Sequence, residues 1–550
     1  MNNSKKHRIG ILVKNLGQKN FNGELIRNIL NSKNLILDTI IINEEKNIKN
    51  KILLIIKKYS LSRIIEKLIF KILTFVEKCI FLISNKKISF AQVNLNNLNI
   101  PQVYISPNID LIKNIYTYSD SDVKKIKDKN LDIILRLESG IIKGAILTAT
   151  KKGIVSFHHA DNELYRGLPP GFWEVYNKNP TTGFIIQKLN EQLDNGDIIF
   201  KGYTITKPYF FLNQQFIYKQ SIKYLEKALE NYLKNDNFRF KTKKLQTKIY
   251  KEPNLKELFK YFFKIYSLIL KKIFLSMRGF KEVWNIHYKN ESFNKENLKE
   301  YKILKNLKNR FFADPFVVNF ENKNFIFAED FDLKNKIGHI SCIEIGNKSE
   351  KFLGKVIKEN FHLSFPFIFK FNNNFYMCPE TKEKKEIRIY KCKNFPDQWE
   401  FCKTLIDNIY AVDTVLFEKE KYWWLLTNTD KNNLEFSSEL SIFYSSEGPI
   451  TNNWQPHKLN PVVVDANKAR NAGLFFDGKN YFRLNQKIGF NNYGIGFDIN
   501  RISEISIESY EEKVESNINA NFIKEGIGTH HMTTNNNFSA IDIKKFINRF

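Results

Sequence analysis

Residues 151–202 read KKGIVSFHHADNELYRGLPPGFWEVYNKNPTTGFIIQKLNEQLDNGDIIFKG. A short apolar run at 153–157 ends in polar groups: Ser156, His158, His159 and Asp161. A loop with Arg166, Gly167, Pro169 and Pro170 follows. Then come a second β-forming run at 182–187, the turn Leu193-Asp194-Asn195-Gly196-Asp197, and a third run at 198–201. In open α/β sheets, ligands sit beyond the carboxyl ends of the strands. A histidine and a carboxylate brought together there can polarise a carbonyl, stabilise its oxyanion and accept a proton.

Working outward, 8–13 reads as a buried first strand, 23–30 as a helix, 35–42 as a strand and 132–136 as another. Strands alternating with helices predict a mostly parallel sheet, an α/β Rossmann-like domain. No GxGxxG occurs, so the dinucleotide fingerprint is absent. Two long lysine-punctuated apolar segments, 52–83 and 255–277, read as amphipathic helices. Both are candidates for peripheral contact with anionic lipid; the plainer expectation is that each packs its apolar face on a neighbouring domain.

The order and spacing of the pieces in 151–202 resemble the folate-dependent formyltransferase family. That family has Asn-x-His after a strand, then an Arg-Gly loop, a Thr-Gly strand and a Leu-Asp-x-Gly-Asp turn. Here Ser156-Phe157-His158, Arg166-Gly167, Thr182-Gly183 and 193–197 stand in those places, with Asp194 38 positions after Ser156. Upstream, 131–142 (LDIILRLESGII) looks like the strand and loop that hold the folate. The resemblance covers about residues 8–205. It implies transfer of a formyl group from 10-formyltetrahydrofolate to an amine, with Ser156, His158 and Asp194 as the catalytic set. His158, with Ser156, would steady the oxyanion; Asp194 would hold His158 and assist proton removal. The implied folate-binding residues are Arg136, Leu137, Glu138, Ser139, Gly140 and Ile141. His159, Asp161, Arg166 and Gly167 are candidates for substrate binding, and no metal is expected. One departure matters: Ser156 replaces the family's asparagine. A hydroxyl is a shorter donor than an amide but still a donor, and losing such a donor costs about 10²–10³ in rate.

The family includes enzymes acting on methionyl-tRNA, glycinamide ribonucleotide and amino sugars on nucleotides. The tRNA enzyme carries a small β-barrel after its catalytic domain. Here a helical stretch (206–283) and a large β region (284–550) follow 1–205, so the expected acceptor is an amino sugar, nucleotide-linked or part of a glycan precursor. The resemblance also implies a homodimer.

From Trp284 onward, short strands rich in Phe, Tyr, Ile and Trp alternate with turns. The span to Ile505 fits five propeller blades of about 40–45 residues each. Carboxylates stand at strand ends in Ala313-Asp314-Pro315, Ala328-Glu329-Asp330, Pro379-Glu380 and Val412-Asp413. Inner strands of a propeller converge on a central channel, and paired carboxylates are the equipment of glycoside chemistry. Arg470 and Arg483 are two of only 13 arginines among 86 basic residues, and each suits a buried ion pair or an anionic glycan. These segments resemble the five-bladed glycoside hydrolases of the arabinanase and xylosidase clan. They look still more like the amino-terminal propeller of plant glucosamine inositolphosphorylceramide transferases, over about 284–543. Two readings stand beside formyl transfer. One is a glycan-active hydrolase or transferase using the propeller carboxylates, with a degenerate first domain. The other is a non-catalytic glycan-binding module at a membrane surface.

The 550 residues carry a formal net charge of +28. Abundant Lys, Asn and Ile point to AT-rich coding rather than to a nucleic-acid face, since base readers favour arginine. Nucleic acid is therefore not an expected partner. Five cysteines without a CxxC pair exclude a disulfide scaffold and a zinc ribbon and suit a reducing compartment. No secretory h-region and no run of 18 apolar residues is present, so the expected location is cytoplasmic, with the inner membrane face as a place of contact.

Overall fold

A computed structural model describes residues 6–44, 59–84, 88–110, 113–138, 140–234, 248–346 and 349–548. Ser139 and the segment 52–58 lie outside the described residues. The chain divides into two units, Met1–Leu268 and Ile269–Phe550.

The first unit is built on one sheet of seven strands: β1 (His7–Val13), β2 (Leu35–Asn43), β3 (Gln102–Ile105), β4 (Ile133–Arg136), β5 (Ile154–His158), β6 (Thr181–Lys188) and β7 (Asp197–Ile205). Their order is β7-β6-β5-β4-β1-β2-β3. β1 to β5 run parallel, while β6 is antiparallel to both β5 and β7. The parallel strands are near-continuous apolar runs because helices cover both faces. The helices are α1 (Asn20–Leu30), α2 (Leu61–Ser84), α3 (Asp120–Lys127), α4 (Phe172–Asn177), α5 (Phe210–Ile222), α6 (Leu225–Lys234) and α7 (Leu255–Met277). Ile9, Ile11, Ile133 and Val155 pack with Leu25 and Ile29 of α1 and Leu225 and Leu229 of α6. Leu12, Ile41, Ile134 and Ile154 face the other way, onto Val123 and Ile126 of α3. Successive side chains of a strand point to opposite faces, so one run serves two cores. The helices between Phe210 and Lys234 therefore belong to the first unit's core rather than standing apart as a connector.

α2 begins at Leu61, and the start of the 52–83 run lies outside the described residues. It lies beside the start of α7: Arg63 donates to the Glu252 carbonyl at 2.7 Å, and Tyr261 donates to Glu77 at 2.6 Å. The expectation that these helices bury their apolar faces does not hold. Only Glu77 and Phe81 are buried on α2, and Leu68, Ile72, Phe75, Phe259 and Phe263 are exposed. The packed stripe is narrow, because Glu77, Tyr261 and Tyr266 occupy it with polar contacts. No described helix is long and apolar enough to cross a membrane.

The second unit is a five-bladed β-propeller of antiparallel sheets. The inner strands are Arg310–Phe320, Ser364–Phe371, Ala411–Lys419, Asn471–Phe476 and Met532–Thr534. Each touches the next and the fifth touches the first, closing the ring. Blade 5 joins the two ends of the unit: Phe280–Lys289 pairs along its whole length with Ser539–Asn548. Hairpins such as Phe320 to Lys323 turn at Glu321 and Asn322, with φ of 49° and 60°. Two consecutive left-handed residues match the twist of the strands they join.

Four inner strands carry the same irregularity. Their register slips at 313/316, 364/367, 412/415 and 471/473. Asp314, Phe365, Asp413 and Gly473 sit at these bulges with φ of 49°, 47°, 52° and 126°. A bulge re-aims a side chain at the cost of ladder pairing. The unit thus repeats one backbone device while varying the residue it presents.

Candidate functional site

At the carboxyl ends of β1, β2, β4 and β5 in the first unit stand Lys14, Asn43, Arg136 and His158. Ser156 and His158 share one face of β5, being two residues apart. His158 Nδ1 lies 3.3 Å from an Asp194 carboxylate oxygen, and its Nε2 lies 3.1 Å from the Tyr165 carbonyl. A neutral imidazole has a single N–H and satisfies one of these acceptors at a time. Asp194 adopts a left-handed backbone, φ 48°, at the tip of its turn. Its second carboxylate oxygen accepts the Gly167 N–H at 2.9 Å. Arg166 donates to the Leu193 carbonyl. The Arg-Gly loop is thereby tied to the Leu-Asp-x-Gly-Asp turn. Gly167 needs to be glycine: φ is +100°, and a Cβ would come within 2.2 Å of the Tyr250 carbonyl oxygen.

The loop at 136–141 borders this pair. Arg136 donates to the Gly140 carbonyl, and burial lowers its guanidinium from the usual value while Glu138 and Asp194 act the other way. Asn43 donates to Glu138 at 2.8 Å and accepts from Tyr118 at 3.1 Å. Asn22 donates to the Leu137 carbonyl at 3.0 Å, and Ile141 N–H donates to the Asn114 carbonyl at 2.8 Å. Lys14 reaches Tyr116 at 2.8 Å, against which Gly140 packs so closely that a Cβ would overlap the ring. The Arg136 Nε is buried and lacks a hydrogen-bond partner among the described residues. A loop with an unmet donor beside Glu138, at the sheet's carboxyl edge, suits a polar heteroaromatic ligand such as a folate ring.

Two substrate-binding candidates go elsewhere. His159 points away from His158, into a box of Phe21, Phe157 and Tyr218, where burial pushes it down to about 3. Its Nε2 meets the Ser221 hydroxyl at 3.1 Å. Asp161 is held by Lys201 at 2.8 Å and Tyr203 at 2.7 Å. It also explains the Thr-Gly pair, since a Cβ on Gly183 would sit 2.8 Å from the Asp161 nitrogen. Arg166 and Gly167 position Asp194 instead of presenting free groups to a substrate. Lys14, Asn43 and Tyr116 were not legible as site residues, because they come from loops far apart in sequence and carry no motif.

In the propeller, Asp314 and Asp413 face the channel from blades 1 and 3. Arg470 Nε donates to Asp413 at 2.7 Å beneath the Tyr493 ring. His530 bridges two carboxylates, with Nδ1 2.7 Å from Asp542 and Nε2 3.3 Å from Asp314. Trp284 stacks on the His530 ring at 3.8 Å. Burial, with Asp413 and Asp542 nearby, pushes Asp314 up to about 7 despite His530. Burial and the charges of Asp314, Glu380, Asp542 and Asp413 push Glu329 well above the carboxylate range. His530 is raised and Asp542 lowered by their mutual pairing, against the effect of burial. Arg483 does not belong here. It is fully buried within blade 4, paired with Glu512 through Nε at 2.7 Å and bonded to the Lys468 and Ala469 carbonyls. Asp542 and Tyr493 were missed: one lies in an unremarkable strand and the other beside a turn, and only ring closure brings them to the channel.

Fold and site define a formyltransferase-like α/β domain joined to a five-bladed propeller. Residues 302–545 match the family model described as glucosamine inositolphosphorylceramide transferase 1, N-terminal. Glucosamine inositolphosphorylceramide transferase 1 of Oryza sativa subsp. japonica is 34% identical over 225 residues, which is 39% of this chain and 29% of the relative. Methionyl-tRNA formyltransferase of Clostridioides difficile is 30% identical over 103 residues, 18% of this chain and 33% of the relative. Among solved structures, glycinamide ribonucleotide transformylase 1 from Symbiobacterium toebii has a TM-score of 0.28 and 11% identity, covering 42% of this chain and 88% of that one. The chain thus spans about a third or less of the length of these curated relatives.

Proposed function

We propose that the first unit transfers a formyl group from 10-formyltetrahydrofolate to the amine of an amino sugar, and that the propeller holds the carbohydrate. The observation that supports it most is the His158–Asp194 pair, 3.3 Å apart, at the mouth of the 136–141 loop. Arg136, Glu138 and the backbone of that loop would hold the folate, which supplies the activated formyl carbon when bound. Donation from His158 to the developing oxyanion requires the doubly protonated ring, one N–H on Asp194 and the other on the oxygen, with the Ser156 hydroxyl as a second donor on the same strand face. For His158 Nε2 to serve, it must exchange the Tyr165 carbonyl for the substrate oxygen. Asp194, fixed by the Gly167 N–H, keeps the imidazole oriented and would accept the proton that the attacking amine gives up, which passes to the folate nitrogen as its bond to the formyl carbon breaks.

The exposed apolar rows of α2 and α7, punctuated by lysines, support peripheral contact with an anionic membrane surface as part of the same reading. A glycan carried on a lipid would place the substrate there.

Calorimetric titration with a stable analogue of 10-formyltetrahydrofolate tests the donor pocket, and a formyl-transfer assay with nucleotide-linked amino sugars tests the reaction. Micromolar analogue binding is expected. His158→Ala and Asp194→Ala should keep that binding and lower kcat by about 10²–10³. No binding of the analogue at millimolar concentration would overturn the reading.

A further inference from the structure

The propeller channel gathers more carboxyl groups than it has cations to match them. Asp314, Glu329, Glu380, Asp413 and Asp542 interact with one another there, and each is less than a tenth exposed. Two of the five are matched: Asp413 by Arg470, and Asp542 by His530. Among the described residues, the Asp314 carboxylate has only the far edge of the same His530 ring and the Phe365 N–H, each at 3.3 Å. Glu329 and Glu380 accept no hydrogen bond from any described residue. Their nearest cationic side chains are His362 and Lys382, both at 3.5 Å. His362 is lowered from its usual value by burial, and Lys382 stands at the rim, half-exposed. Buried carboxylates without hydrogen bonds are costly unless a cation completes them.

We propose that this channel is a binding site for a protonated primary amine, with Glu329, Glu380 and Asp314 as its acceptors. An ammonium group offers three donors and one positive charge, which is what these three side chains lack. A metal ion fits less well. Asp314, His530 and Asp542 each place one ligand atom within 4.8 Å of the others. Yet His530 turns opposite ring nitrogens toward its two neighbours, so a single ion could not meet both. Asp542 is also occupied by the backbone N–H groups of His530 and His531 at 2.9 and 3.0 Å.

That the amine belongs to an amino sugar rests on the function proposed above; the demand for a cation does not. The site would then distinguish the acceptor from its product. A formylated nitrogen is a neutral amide, so the channel would hold the free amino sugar and release the modified one.

Titration of the full chain with glucosamine, N-acetylglucosamine and glucose tests this. Glucosamine should bind at least about tenfold more tightly than the two neutral sugars. Glu329→Gln and Glu380→Gln should each weaken glucosamine by about tenfold or more, with the thermal unfolding midpoint not lowered and folate-analogue binding unchanged. Equal binding of glucosamine and N-acetylglucosamine would overturn the proposal. So would undiminished glucosamine binding in both variants, or tight calcium binding with none of glucosamine. Glucosamine binding without folate-analogue binding would remove formyl transfer and leave the amine site standing. Folate-analogue binding without glucosamine binding would do the reverse.

Discussion

Asp194 shows how much one residue's chemistry depends on its backbone. Its left-handed conformation turns one carboxylate oxygen to His158 and the other to the Gly167 N–H. The pairing was legible only through the resemblance to the formyltransferases, in which a strand-end histidine is followed by a Leu-Asp-x-Gly-Asp turn. His159 was not legible: adjacent residues on a strand face opposite ways, and sequence alone does not say which face holds the site. Glu174 on α4 carries a separate consequence. It is buried, with Oε1 lacking a hydrogen-bond partner, and burial, assisted by Asp161, pushes it up to about 8. Its folded value exceeds the unfolded one, so its contribution to stability is complete below about pH 4.5 and is lost as pH rises through about 8. The full swing is on the order of 5 kcal/mol. Glu174→Gln should flatten that part of the stability profile and raise the unfolding midpoint at pH 8, read by urea denaturation across pH. An unchanged profile would show that Glu174 is ionised in the fold.

At the scale of elements, six of the seven strands of the first unit's sheet could be read, since buried strands are unbroken apolar runs; the short edge strand Gln102–Ile105 could not, and Asp197–Ile205 runs past its apolar start. The helix at 255–277 was equally plain. What the pattern could not supply was the partner of its apolar face. α2 and α7 meet through Arg63, Glu66, Glu77 and Tyr261 and leave Phe75, Phe259 and Phe263 outward. If this face meets lipid, the protein should sediment with phosphatidylglycerol-containing vesicles and not with pure phosphatidylcholine. Each lysine near an anionic surface contributes about 1 kcal/mol. Phe259→Glu together with Phe263→Glu should abolish sedimentation without altering the unfolding transition. Sedimentation that survives this change would place the lipid contact elsewhere.

On the scale of the whole molecule, five blades were countable from length and turn spacing, but their shared geometry was not. The four inner-strand bulges present Asp, Phe, Asp and Gly at matching places, so no sequence repeat betrays them. The pairing of Phe280–Lys289 with Ser539–Asn548 was equally hidden, because about 250 residues separate the two strands. A chain ending at residue 538 should therefore lose the propeller as a cooperative unit rather than one strand of it. Calorimetry of that chain should show the transition of the first unit and none for the second; a full-size second transition would mean the ring does not depend on its closing strand.

The same closure sets an order of events during synthesis. The first unit needs its core helices up to Lys234 and the strand Ile249–Tyr250 that pairs with Arg166–Gly167, and can fold once these have been made, while the ribosome is still at work. The propeller must wait for Asn548, so its first four blades emerge with an open flank and the Phe280–Lys289 strand without its partner. Whatever guards exposed strand edges in the cell must attend this nascent chain through the synthesis of more than two hundred residues, and a stall near the end would leave a finished first unit tethered to an aggregation-prone, unclosed ring.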